Sequence, residues 1–261
     1  MRTGKLHSIE TMGLVDGPGI RTVFFLQGCP LKCQYCHNPD SQSFMGSNEI
    51  TVEDVVQTAR RYREYYQVTG GGVTFSGGEP LMQGAFLVEA LAALKAEGIS
   101  TCIDTSGYGQ SHYYEAIFKL TDHLLVDIKH TRNDAHKVLT GRDMTGIRHF
   151  IKALRSFEGT ITIRHVMVPG STDRPEIMAE LLAMIEPIQK KVDKIDILPY
   201  HKAGVEKYSQ LNLSYTFESV PEMSPERAAE FERSINEALR ASKERAAEVT
   251  VIEGNGYQLS A

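Results

Sequence analysis

The sequence predicts an α/β fold built on a parallel sheet. Two observations carry this. Strand-like and helix-like segments alternate through at least six β–α units, and residues of unusual chemistry recur where those strands end. Such alternation gives a parallel sheet with right-handed crossovers, and these sheets place their sites at the C-terminal ends of the strands. The chain has 261 residues, 41% of them apolar, enough to bury a sizeable core in a single domain spanning 1–261.

The elements follow in order. Arg21–Gln27 (RTVFFLQ) reads as the first strand. A helix runs from Thr51 to about Tyr66, because Thr51 and Asp54 stand at capping-box spacing and Val55, Val56, Ala59 and Tyr62 share one face. Gly72–Ser76 is a short strand, and Leu81–Glu97 is a helix with Gly98 where a left-handed residue would end it. Ile99–Asp104 is a strand, His112–Lys119 lies in a helix, and His123–Ile128 is a strand. One or two helices fit between Arg132 and Phe157. Thr160–Val168 is a strand, Arg174–Ile188 a helix that Pro187 should end, and Lys194–Leu198 the last strand. Tyr200–Met223 shows no regular pattern. A final helix covers about 225–246, with Ser224 as its cap, Pro225 in its first turn, and Phe231, Ile235 and Leu239 on one face. Periodicity leaves two closures open, a partial barrel and an open doubly wound sheet.

Composition narrows the function. The net charge is −5 and no basic stripe exists, which argues against nucleic acid as a partner. The N-terminal MRTGKLHSIETMG lacks the apolar core of a signal peptide, and no stretch approaches the ~18–20 apolar residues of a membrane span. A cytoplasmic protein is the expectation.

Three of the four cysteines, Cys29, Cys33 and Cys36, lie within eight residues and follow the first strand at C-x3-C-x2-C spacing. So tight a cluster makes a poor disulfide framework and points to metal or catalysis. Three thiolates on one loop grip three corners of a cubane iron–sulfur cluster and leave the fourth iron open to a small molecule. A structural zinc site in a binding protein is the alternative from another class. Zinc asks for four ligands, and His37 would have to serve beside its neighbour Cys36. Cys102 falls in a strand and reads as a small core residue.

The cysteine loop, with aromatic Tyr35 before its third cysteine and Ser76-Gly77-Gly78-Glu79-Pro80 at the end of the second strand, resembles the signature of the radical S-adenosylmethionine (SAM) superfamily. Further motifs narrow the resemblance: Asp16-Gly17-Pro18-Gly19-Ile20-Arg21, Cys36-His37-Asn38-Pro39, Asp104-Thr105-Ser106-Gly107, Val126-Asp127-Ile128-Lys129, Ile163–Gly170 and Leu198-Pro199-Tyr200-His201. Together, from about Leu6 to the C-terminal helix, they are similar to the pyruvate formate-lyase branch of the glycyl-radical activases. Ferredoxin-like inserts of other activases are not matched, because no cysteine stands between Cys36 and Cys102. Arg245–Ala261 carry no matching motif.

The resemblance implies a partial (β/α)6 TIM-like barrel, open enough to admit a protein loop, with its cluster loop at 28–40. It implies a [4Fe–4S] cluster on Cys29, Cys33 and Cys36, with SAM on the open iron and its amino group at the Gly77-Gly78-Glu79 turn. By the same resemblance Asp104, Thr105, Asp127 and the Leu125 carbonyl hold a monovalent cation, Na+ or K+. Lys129 and Arg164 suit the SAM carboxylate or ribose, His201 the adenosine or substrate, and Asp16 and His37 the substrate peptide. The implied reaction is reductive cleavage of SAM to methionine and a 5′-deoxyadenosyl radical, which takes a glycine Cα hydrogen from pyruvate formate-lyase in anaerobic metabolism. A one-electron donor such as flavodoxin and a monomeric state complete the expectation. The alternatives within the class are another glycyl-radical enzyme or a small molecule as substrate.

Overall fold

The computed structural model describes residues 2–255, and for 247–255 the backbone alone. In chain order the elements are β1 Thr3–Gly13, β2 Arg21–Leu26, β3 Asn48–Thr51, α1 Val52–Arg61, α2 Arg63–Thr69, β4 Gly72–Gly77, α3 Gly84–Ala96, β5 Ser100–Thr105, α4 Tyr114–Leu120, β6 His123–Asp127, α5 Asn133–Thr140, α6 Thr145–Ala153, β7 Thr160–Met167, α7 Pro175–Ile185, β8 Val192–Pro199, α8 Val205–Gln210 and α9 Pro225–Asn255. One sheet of eight strands runs β3-β1-β2-β4-β5-β6-β7-β8. From β2 to β8 neighbouring strands are parallel, which gives the six predicted β–α strands. The sheet does not close on itself, as a partial barrel requires.

Two strands escaped the sequence. β1 pairs antiparallel with β2 and with β3. Its residues, TGKLHSIETMG, are mostly exposed or half-buried, so no apolar alternation marks them. The first predicted helix is broken at Tyr62, and the break lets Arg60 and Arg63 both reach Glu97, at 2.7 and 3.2 Å. The Thr51–Asp54 capping box is present. The second helix begins at Gly84, because Pro80–Gln83 form a 3-10 turn capped by Glu79. Beyond Ile185 the chain tightens into a 3-10 turn at Glu186–Lys191, with Pro187 in its first turn. The irregular stretch contains a short helix, α8, and the last helix extends beyond 246 to Asn255. Residues 256–261 of the unmatched tail lie outside the described residues.

Strands buried on both faces hold the centre: Val73, Phe75, Ile103, Val126, Ile161 and Ile163 are 0% exposed. The open edge at β8 is covered by α9. Asn236 accepts from the Ile195 amide and donates to its carbonyl, at 2.9 and 2.7 Å, and Glu232 accepts from the Ile197 amide at 2.8 Å. Side-chain amide and carboxylate thus satisfy edge groups that would otherwise seek another strand. Arg21, fully buried, ties the start of β2 to its neighbours by donating to Thr74 Oγ1 (2.6 Å), the Val73 carbonyl (2.6 Å) and the Ser100 carbonyl (3.1 Å).

His165 on β7 is fully buried and donates through Nδ1 to the Ile128 carbonyl, while Nε2 has no partner among the described residues. Burial pulls its pKa down from 6.5 to about 4. The folded pKa lies below the unfolded one, so this contribution is complete above the unfolded value. It is lost as pH falls toward the folded value, because the unfolded chain takes up a proton that the folded one refuses. His165→Asn keeps a donor for Ile128 and removes the titration. Between pH 6.5 and 4 its stability should therefore fall by roughly 3 kcal/mol less than the parent's, measured by urea melts across that range.

Candidate active site

A cavity of about 460 Å³ opens at the C-terminal ends of the parallel strands. Of the residues singled out from sequence, Asp16, Cys29, Cys33, Tyr35, Cys36, His37, Gly77, Gly78, Asp104, Thr105, Asp127, Lys129, Arg164 and His201 line it. Glu79 and Leu125 do not, and both are buried.

The cysteine loop is shaped by its main chain. The Gly28 and Cys29 amides donate to the Ser41 and Gln42 carbonyls at 2.8 and 3.1 Å, so the loop closes on itself. The Lys32 and Gln34 amides donate to the Thr140 and Leu139 carbonyls at the end of α5, at 2.7 and 2.9 Å. All three thiols are free and half-buried. Burial, with the nearby Glu79 charge, pushes the Cys29 pKa up to about 12. Burial also raises Cys33 to about 12, although Lys129 opposes the shift. Such thiols ionise when a bound metal supplies positive charge.

The glycine turn packs on this loop. Gly77 has φ +102°, and a Cβ there would lie 2.5 Å from the Leu26 amide nitrogen. A Cβ on Gly78 would lie 2.4 Å from the Gly28 carbonyl oxygen. Only glycines let the end of β4 lie so close to the end of β2 and the start of the cysteine loop. The Glu79 carboxylate does not line the cavity; it is fully engaged behind it, accepting from Leu81 N (3.0 Å), Thr105 Oγ1 (2.6 Å), Ser106 N (2.8 Å) and Ser106 Oγ (2.5 Å). The backbone at Gly77 and Gly78 is therefore the part of the turn that faces a ligand. Burial raises the Glu79 pKa, and hydrogen bonds from Ser106 and Thr105 oppose the rise. Glu79→Gln sets an NH2 against donors, since an amide accepts through only one atom. We expect a melting temperature lower by roughly 5–10 °C in a thermal scan of the metal-free protein.

Beyond the turn, two carboxylates face two cations. Asp127 Oδ2 accepts from Lys129 Nζ at 2.7 Å, and Asp104 Oδ2 accepts from Ser76 Oγ at 2.9 Å and lies 3.4 Å from Arg164 Nη1. Asp104 Oδ1, Asp127 Oδ1, Arg164 Nε and Tyr35 Oη are buried with no partner among the described residues. Burial raises the Asp104 pKa, with Arg164 opposing and Asp127 adding to the rise. For Lys129, burial opposes the charge, yet Asp127, Tyr35 and Cys33 outweigh it and hold the ammonium well above its ordinary range. The Thr105 hydroxyl is engaged, donating to Glu79 and accepting from Gly107 N at 2.9 Å. Leu125 sits in register with Asp104, so its backbone lies at the same level of the sheet.

At the mouth, the His37 and His201 rings lie 4.2 Å apart, and His37 Nε2 donates to the His201 carbonyl at 2.9 Å. Burial lowers the His37 pKa. Arg164 also donates to the Val15 carbonyl, which fixes the segment carrying Asp16. The cavity adds Ser76, Ser106, Val166 and Tyr200, which the sequence reading had not assigned a role. All four lie within motifs that it had quoted.

The donor set fits an iron–sulfur cluster with SAM. Three free thiols, a glycine-only approach and four unpartnered polar atoms share one cavity. Among the described residues no three His, Cys, Asp or Glu side chains gather round one point as a lone metal ion would need. Among the described residues no helix is long and apolar enough to cross a membrane.

The model of the radical SAM superfamily matches residues 23–182. A pyruvate formate-lyase-activating enzyme of Clostridium pasteurianum is 46% identical over 92% of this chain and 100% of its own length. One from Staphylococcus epidermidis is 43% identical over 90% of this chain and 96% of its own. The crystal structure of a domain of pyruvate-formate lyase-activating enzyme from Bacteroides vulgatus shares the fold, with TM-score 0.53 and 21% identity over 65% of this chain and 95% of that one. The chain belongs to the radical SAM superfamily, in the family of the pyruvate formate-lyase-activating enzymes.

Proposed function

We propose that this chain, acting as a single radical SAM domain, generates the glycyl radical of pyruvate formate-lyase. One observation carries the reading: the three cysteines, the Gly77–Gly78 turn and the paired charges at the ends of β5, β6 and β7 open onto one cavity. Cys29, Cys33 and Cys36 would hold a [4Fe–4S] cluster. When bound and reduced by a one-electron donor, the cluster would supply the electron that breaks the carbon–sulfur bond of SAM, giving methionine and the 5′-deoxyadenosyl radical that would take a glycine Cα hydrogen from the partner.

The chain's own residues bind and orient. The backbone at Gly77 and Gly78 would accept from the SAM ammonium, while Lys129 and Arg164 balance its carboxylate. Asp104 and Asp127 each offer an unpartnered oxygen, which suits a monovalent cation, Na+ or K+, with Thr105 and the Leu125 carbonyl beside them. Asp16, His37 and His201 stand at the mouth, where a glycine-bearing loop would enter, and Tyr35 backs the cysteine loop. The same proposal includes a one-electron donor such as flavodoxin, a monomeric state and a cytoplasmic location.

The test is release of 5′-deoxyadenosine by anaerobically reconstituted protein given reductant and SAM. The proposal expects release to rise when pyruvate formate-lyase is added. Release indifferent to that partner would remove the substrate from the reading, and protein that takes up zinc without iron or sulfide would remove the reaction.

A further inference from the structure

Residues 200–223 take no part in the reading above beyond Tyr200 and His201, yet they form a strap behind the cysteine loop. The strap is fixed internally. Tyr200 and Tyr215 hydroxyls meet at 2.7 Å, the Tyr208 and Tyr215 rings cross at 4.9 Å, and the Met223 amide donates to the Tyr200 carbonyl at 2.8 Å. Its contacts with the loop fall on one short stretch, residues 35–40, starting with the Phe217 ring 6.2 Å from that of Tyr35. Tyr208 Oη donates to the Cys36 carbonyl at 3.0 Å, and Lys207 Nζ donates to Asn38 Oδ1 at 2.7 Å and lies 3.3 Å from Asp40 Oδ2. Gly204 lies against His37, where a Cβ would come within 2.6 Å of the His37 Cα. The part of the loop around Cys33 is held elsewhere, by α5 through the Lys32 and Gln34 amides. Tyr208 is 8% exposed, and its bond to Cys36 is part-buried.

We propose that Tyr208 and Lys207 are positioning residues for the third cysteine, and that the strap sets the backbone of Cys36–Asp40. This rests on the reading of Cys36 as a cluster ligand. The division of labour has a physical consequence: one corner of the cluster depends on contacts made 172 residues away in sequence, independently of the α5 anchor. Loosening the strap shifts one ligand and leaves the segment around Cys33 in place.

The experiment uses Tyr208→Phe, which keeps the ring against Tyr215, and Lys207→Met. In the metal-free chain, hydrogen exchange is read at the Cys36 and Ser41 amides, bonded to Cys33 and Asn38 carbonyls, against the Lys32 and Gln34 amides as internal controls. In the reconstituted protein, iron release to a chelator and the electron paramagnetic resonance of the reduced cluster are read. Each variant should speed exchange at Cys36 and Ser41 by about fivefold, with Lys32 and Gln34 unchanged. Iron release should speed by a similar factor, with altered g values. Exchange unchanged, or accelerated equally at all four amides, overturns the proposal. So does faster local exchange with parent-like iron release and resonance. If the parent itself takes up no cluster, the reading of Cys36 fails, and the exchange pattern alone then decides whether the strap sets this backbone.

Discussion

Replacing Cys29, Cys33 or Cys36 by alanine, one at a time, is expected to reduce iron, sulfide and SAM cleavage to background while the fold persists. The loop's shape rests on main-chain bonds from Gly28, Cys29, Lys32 and Gln34, none of which uses a thiol. The thiols are half-buried and face the cavity, so their loss changes stability by about 1 kcal/mol or less. Activity is different in kind, because with two thiolates left the cluster has no third anchor. Cys102→Ala gives the opposite profile. That side chain is 0% exposed within β5, so truncation costs about 1–2 kcal/mol and leaves iron content at the parent level. Iron analysis beside thermal melts of the four variants checks both halves.

Lys129→Met is expected to weaken SAM binding by about 10–100-fold and to lower the stability of the metal-free chain by about 2–3 kcal/mol. Lys129 Nζ lies 2.7 Å from Asp127 Oδ2, with side chains only 16% and 18% exposed. Methionine keeps most of its length but leaves Asp127 without its ammonium beside Asp104, two carboxylates that then repel in a largely buried site. Lys129→Arg restores charge without the point-like geometry, so it should recover most of the stability and little of the SAM affinity. Calorimetric titration of SAM into the reconstituted variants, with urea melts of the metal-free ones, separates the two effects.

Much of the fold is legible in the sequence alone. The six parallel strands announced themselves because both faces are buried and apolar residues run through them. The residues that line the cavity were legible because parallel sheets gather their special groups at strand ends, and Asp104, Asp127 and Lys129 sit at or just past the ends of β5 and β6. β1 was not legible, since a strand whose residues are mostly exposed or half-buried lacks the period-two signal, although it is paired on both sides. Nor could the direction of Glu79 be read. Its carboxylate serves Thr105 and Ser106, a long-range pairing that the local motif does not encode. Tyr208 belongs to the same class. Its bond to Cys36 spans the whole barrel in sequence, inside a stretch with no periodic pattern.

The central claim is that this cavity delivers a hydrogen-abstracting radical to a glycine of a protein substrate. The most direct measurement uses pyruvate formate-lyase labelled with α-deuterated glycine, incubated anaerobically with the reconstituted protein, reductant and SAM. The account predicts 5′-deoxyadenosine carrying deuterium from the partner, formed in step with a glycyl radical signal on it. Unlabelled 5′-deoxyadenosine in step with no radical on the partner would contradict it.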